Sequence, residues 1–91
     1  MSELWKWYVY IIECEDGTYY TGMTWDLAER WEQHLAGSGA RYIREHRPKK
    51  VVYSEVFENF EQARCREIQI KDWSQAKKRK LIAGEWGRDC D

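Results

Sequence analysis

The stretch Tyr8-Val9-Tyr10-Ile11-Ile12-Glu13-Cys14-Glu15-Asp16-Gly17-Thr18-Tyr19-Tyr20-Thr21-Gly22 decides how the rest of this chain is read. Two runs rich in β-branched and aromatic residues flank the polar Glu15-Asp16-Gly17, the composition of two strands joined by a glycine-containing reversal. The segment reads as a β-hairpin, and its loop length decides which side chains share a face. A two-residue Asp16-Gly17 loop pairs Glu15 with Thr18 and puts Tyr10 and Tyr20 on opposite faces. A three-residue Glu15-Asp16-Gly17 loop, a type I turn closed by Gly17 in the left-handed region, pairs Cys14 with Thr18, Ile12 with Tyr20 and Tyr10 with Gly22. Both tyrosines then lie on one face as diagonal neighbours roughly 7–8 Å apart, with a notch over Gly22 beside Tyr10 that could admit a ligand. Turn chemistry alone leans slightly to the Asp-Gly loop, and both registers stand at this point.

Beyond the hairpin, Thr24-Trp25-Asp26 offers capping side chains for a helix over Leu27 to Leu35, with Leu27, Trp31 and Leu35 at four-residue spacing. At about 100° per residue, Arg30 and His34 lie side by side at one margin of that apolar stripe, from which they can reach the sheet. Ala36-Gly37-Ser38-Gly39 ends the helix. The basic segment from Arg41 to Lys50 reads as a surface loop with a short helical turn before Pro48, and His46 as a solvated loop histidine. Val51 to Phe57 reads as a third strand.

Asn59, with Gln62 three residues on, caps a helix over Phe60 to Lys71. On its wheel Ala63 and Ile70 fall on the side of Phe60, and Glu67 falls between Phe60 and Ala63. A carboxylate inside an apolar stripe calls for a cation: a metal ion, or an arginine such as Arg30 or Arg64. Ser74 caps a last helix running from Gln75 to about Ala83, where Gly84 stops it. The elements describe one α+β domain over residues 1–83, with a small, mainly antiparallel three-stranded sheet, an N-terminal hairpin and three or more flanking helices. Residues 84–91, including Trp86, form a short tail.

The net charge is −1, which argues against a blanket nucleic-acid binder, but the charge is uneven. Met1 to Leu35 carries two Lys/Arg against seven Asp/Glu, whereas Ala40 to Lys50 carries five against one and Arg64 to Lys80 seven against two. Arg41, Arg44, Lys71, Lys77, Lys78, Arg79 and Lys80 are the candidates for contacting nucleic-acid phosphates; ordinary solvated surface is the competing reading. Cys14, Cys65 and Cys90 are odd in number and contain no C-x-x-C pair, so neither a zinc site nor a disulfide framework is implied. No apolar run reaches membrane-spanning length, and the chain is expected to be soluble and cytoplasmic.

Tyr10 in a Tyr-Val-Tyr, Tyr20 in a Tyr-Thr-Gly, Arg30 and His34 on one helix and Glu67 on a later one form an ordered set. It resembles the GIY-YIG endonuclease superfamily over about Trp7 to Ile82. The Tyr-Val-Tyr-Ile start and the segment from Ile70 to Lys78 are closest to small stand-alone bacterial proteins similar to the N-terminal domain of the excinuclease C component. The resemblance implies a metal-dependent endonuclease acting on DNA, branched or damaged forms included, that leaves 5′-phosphate and 3′-hydroxyl ends. It implies Tyr10 as general base toward water, Tyr20 orienting water or phosphate, and Arg30 on the scissile phosphate. His34 would receive or relay the tyrosine proton, and Glu67 would hold one Mg²⁺ or Mn²⁺. A phenol with a pKa near about 10 needs cationic neighbours to serve as a base at neutral pH, which Arg30 and a metal ion would supply.

The departures are specific. Tyr8 replaces the first motif's glycine, Val9 and Thr21 stand at isoleucine positions, and no asparagine follows Glu67 to match one that some members place near the active site. Met23 stands where several active members have lysine, which leaves a non-catalytic nucleic-acid-binding module on the same scaffold as the alternative. Convergence of Tyr10 and Tyr20 on one site, as the resemblance requires, selects the three-residue loop.

Overall fold

Strand β1, Trp7–Cys14, is the centre of the molecule: strand β2, Tyr19–Thr24, pairs antiparallel with one edge and strand β3, Pro48–Phe57, antiparallel with the other. The computed structural model describes residues 6–38 and 40–84; the expected tail, with Trp86 and Cys90, lies almost wholly outside them. Among the described residues, four helices complete this α+β fold: α1 (Leu27–Leu35), α2 (Arg41–His46), α3 (Phe60–Lys71) and α4 (Gln75–Ile82).

The hairpin takes the three-residue loop. Gly17 N donates to Cys14 O at 3.0 Å and Cys14 N to Thr18 O at 2.8 Å, while Gly17 adopts φ +87°, which a side chain would strain. Tyr10 therefore stands opposite Gly22 and Ile12 opposite Tyr20. Asp16 reinforces the turn by accepting from the Thr18 backbone and hydroxyl at 3.1 and 2.7 Å.

Both faces of β1 are covered, which is why its sequence runs almost continuously apolar. Val9 and Ile11 pack with Ala63, Ile70 and Leu81 from α3 and α4. Tyr10, Ile12 and Cys14 pack on the opposite face with Ile43 of α2 and, at its rim, Leu27 and Trp31 of α1. The three expected caps form: Asp26 accepts from Glu29 N, Asn59 from Gln62 N and Ser74 from Lys77 N. Each such bond is worth about 1 kcal/mol and sets where its helix starts.

Four local expectations change. The short helical turn expected before Pro48 is present and extends to a six-residue helix, α2, anchored by the fully buried Ile43 and braced by an Arg41–Glu45 pair one turn apart at 2.9 Å. Strand β3 begins at Pro48, where an edge position requires no ladder N–H, and bulges near Val52 and Lys49 absorb its extra residues. On α1 the buried arc is centred on Leu27 and His34, so Leu35, 80° from Leu27 on the wheel, is 58% exposed. On α3, Phe60 is half-exposed, its ring edge-on to Trp7, and Arg66 is buried in its place. Arg66 forms a fork with the buried Glu55 of β3, Nε to Oε1 and Nη2 to Oε2 both at 3.0 Å, and its Nη1 donates to Gln69 at 2.7 Å.

Candidate active site

Tyr10 and Tyr20 emerge from neighbouring strands on one face, their ring centroids 6.5 Å apart. His34, in the last turn of α1, closes the triangle at 6.0 Å from Tyr10 and 5.8 Å from Tyr20. Tyr10 Oη and His34 Nε2 share a buried hydrogen bond of 3.0 Å. Gly22 makes room for this: a Cβ at that position would fall 2.5 Å from Tyr10 Oη. The notch expected over Gly22 is therefore filled by the phenol of Tyr10 itself, because its ring lies across β2.

Charge reaches the tyrosines from two helices. Arg30, one turn before His34 on α1, is half-buried; its Nε meets no hydrogen-bonding group, and its guanidinium has no carboxylate partner among the described residues. Glu67 on α3 is buried, with Oε1 accepting from Arg64 at 2.7 Å and Oε2 lying 3.3 Å from Lys71 Nζ. Lys71 Nζ also stands 5.9 Å from the centre of the Tyr20 ring. Burial holds the Tyr10 phenol well above its ordinary pKa; Tyr20 and Glu67 add to the rise, and Arg30 opposes it. Tyr20 is raised by burial too, with Lys71 and Arg30 opposing and Glu67 adding. Burial, followed by the Arg30 charge, lowers His34 and keeps its imidazole neutral. The charges of Arg30 and Glu67 thus both act on both phenols, so the five residues Tyr10, Tyr20, Arg30, His34 and Glu67 share one electrostatic environment.

No group of three or more His, Cys, Asp or Glu able to hold a metal occurs among the described residues, so a metal ion at Glu67 would draw most of its ligands from elsewhere. A single buried carboxylate nonetheless fits Mg²⁺, which binds through one or two carboxylates and fills its shell with water and substrate phosphate oxygens. The competing partners, Arg64 and Lys71, are long side chains about half exposed, able to swing aside. Both alternatives set by the wheel of α3 therefore remain chemically compatible with this carboxylate.

Of the basic candidates, Lys71 joins the site. Arg44, Arg79 and Lys80 are exposed, Arg41 is exposed and paired with Glu45, and Lys77 Nζ lies 4.3 Å from the centre of the Trp73 ring. Lys78 departs from expectation: it is only 5% exposed, and its ammonium is disfavoured by burial and by Lys71. It lies one turn beyond Gln75, whose side chain binds the Tyr19 backbone, so the inner side of α4 carries it away from solvent.

Two residues that sequence reasoning left aside support the site. Tyr42 of α2 stacks on Tyr20, with centroids 5.8 Å apart and planes inclined by 28°. His46 is no free loop histidine: it stacks on Tyr42 at 4.0 Å and hydrogen-bonds to Asp16 in the hairpin turn. Once α2 is recognised, the i, i+4 spacing of Tyr42 and His46 is the signal that finds them.

Known proteins resemble this chain in sequence and fold. The GIY-YIG catalytic domain pattern matches residues 6–80. The chain belongs to the GIY-YIG family. It is 44% identical over 78 residues to a UPF0213 protein of Staphylococcus saprophyticus, covering 86% of this chain and 95% of that one. It is 46% identical over 75 residues to a UPF0213 protein of Halobacterium salinarum, covering 82% and 97%. The solution structure of a UPF0213 protein from Bacillus halodurans is similar at 38% identity, with a TM-score of 0.57, over 91% of this chain and 88% of that one. No helix among the described residues is long and apolar enough to cross a membrane.

Proposed function

We propose that this chain is an endonuclease that hydrolyses DNA phosphodiester bonds, with Tyr10 as general base and Glu67 as the ligand of one divalent cation. The observation that carries the reading is the 3.0 Å bond between Tyr10 Oη and His34 Nε2, set beside an arginine that has no carboxylate partner among the described residues. A phenol held so far above its ordinary pKa does not accumulate as phenolate. It can act by taking a proton from the attacking water while passing its own to the neutral His34, whose lowered pKa leaves a lone pair free. Arg30 meets the non-bridging phosphate oxygens and offsets the charge that builds on them, and Tyr20 orients the water or phosphate. Glu67 would hold Mg²⁺ or Mn²⁺, which when bound supplies Lewis-acid stabilisation to the phosphate and leaving oxygen. Lys71, with Arg44, Arg79 and Lys80, engages the flanking backbone; Lys78, being buried, is not among them.

Incubation with Mg²⁺ or Mn²⁺ and a panel of duplex, branched and single-stranded DNA tests this. At least one substrate should be cut, with cleavage lost in Glu67→Ala and reduced at least about 100-fold in Tyr10→Phe. Full cleavage by Glu67→Ala overturns the assignment. One observation favours a second reading, a binding module without chemistry: both Glu67 oxygens are already engaged by cations. That reading expects salt-sensitive DNA binding and no cutting of any substrate by the wild-type chain.

A further inference from the structure

His34 has a second side. Its Nε2 is used by Tyr10, but its Nδ1 is buried and meets no hydrogen-bonding group among the described residues, although the residue is only 2% exposed. With the Tyr10 hydroxyl donating to Nε2, the single proton of the neutral ring sits on Nδ1, a donor without an acceptor. Such a group is rare inside a protein and calls for an explanation.

His34 is also among the residues that line a cavity of about 490 Å³ between the end of α1, α2 and the hairpin turn. Arg44 and Arg47 line it too, and neither has a carboxylate partner among the described residues. Arg47 is the one non-glycine among the described residues with positive φ, at 61°, a strained backbone of the kind retained at ligand sites. Glu15 supplies the opposing carboxylate and bonds to neither arginine through its side chain, so the lining is net cationic. Two guanidinium forks and one N–H suit an anion with several acceptor oxygens on a tetrahedral centre better than a planar carboxylate.

We propose that this cavity binds a phosphate group, and that the bound phosphate acts on Tyr10 through His34. An anion accepting from Nδ1–H fixes the ring and makes Nε2 a better proton acceptor, as a carboxylate does behind an imidazole in other sites. When the Tyr10 O–H bond breaks and Nε2–H forms, the ring holds a proton on each nitrogen and one positive charge, which the phosphate balances. The group comes either from the backbone of the bound DNA or from free phosphate. The coupling rests on the nuclease reading above; the binding does not.

Nitrogen NMR of the full chain labelled at histidine tests both parts, with inorganic phosphate or a short DNA duplex added at constant ionic strength, alongside single-turnover cleavage. The His34 Nδ1 signal should shift saturably, and the shift should vanish in the Arg44→Gln, Arg47→Gly pair while the Tyr10–His34 bond persists. Glu15→Gln, which removes the opposing charge, should tighten phosphate binding severalfold and serves if the double variant does not fold. A response to phosphate alone assigns the free ion; a response to duplex alone assigns the backbone. A response with no cleavage by any variant keeps the pocket and rejects the nuclease. The proposal is overturned if neither probe moves Nδ1, if the arginine variants respond like the parent, or if Glu15→Gln weakens binding.

Discussion

The ring of Tyr10 occupies the space that a side chain at residue 22 would need: a Cβ on Gly22 would lie 2.5 Å from Tyr10 Oη, 2.7 Å from its Cζ and 3.1 Å from Tyr20 Cε2. Gly22→Ala cannot be absorbed by a flexible tip, because Tyr10 is buried and tied to His34. We expect a loss of about 1–3 kcal/mol in stability, as in other overpacked sites, and a drop of at least about tenfold in any cleavage. Urea unfolding and cleavage assays check it; an alanine variant with parental stability would show that the ring has room to move.

Thr21, between Tyr20 and Gly22, carries a buried hydroxyl with no hydrogen-bond partner among the described residues. Thr21→Val keeps the shape and removes the orphan group, so stability should rise by about 1 kcal/mol. The midpoint of urea unfolding should increase with an unchanged slope; a lower midpoint would reveal a partner for that hydroxyl.

The Glu55–Arg66 fork ties β3 to α3 inside the protein. Removing one partner, as in Glu55→Ala, strands a buried charge and should cost about 3–5 kcal/mol. Replacing both with apolar residues should cost much less than the two single losses combined. A double-mutant cycle reads the difference, and simple additivity would count against a coupled pair.

His34 gives the pH dependence its sign. Its pKa is lowered on folding by burial and Arg30, so below about pH 6.5 the unfolded chain binds a proton that the folded chain refuses. The contribution to stability is therefore full above that pH and is lost as pH falls through the lowered folded value. Melting temperatures measured from about pH 4 to about pH 8 should fall less steeply with acid in His34→Gln than in the parent.

Lys78 offers a test on α4. Lys78→Met should raise stability, since an ammonium disfavoured by burial is removed, and leave the salt dependence of DNA binding unchanged. Neutralising Arg79 and Lys80 should reduce that dependence, by about 0.9 in the log–log slope for each phosphate no longer neutralised.

The sequence reads well where local chemistry and periodicity agree. Asp26, Asn59 and Ser74 announce their helices, and a family pattern matches residues 6–80. What stays hidden depends on partners far along the chain. Glu55 and Arg66 are polar residues whose own segments give no reason for burial, and only their mutual contact justifies it. Lys78 belongs to a run of four basic residues, and nothing local says which of them turns inward. Helix α2 is too short for periodicity to speak; its single apolar anchor, Ile43, has meaning only against β1.

The stack from Tyr20 through Tyr42 to His46 ends on Asp16, whose carboxyl is held at about 2 by hydrogen bonds from His46 and Thr18. Hairpin tips are ordinarily where a chain tolerates inserted segments. Here an insertion beside Asp16 would release His46, loosen Tyr42 and withdraw the support behind Tyr20, making the exposed turn a remote control on the tyrosine pair.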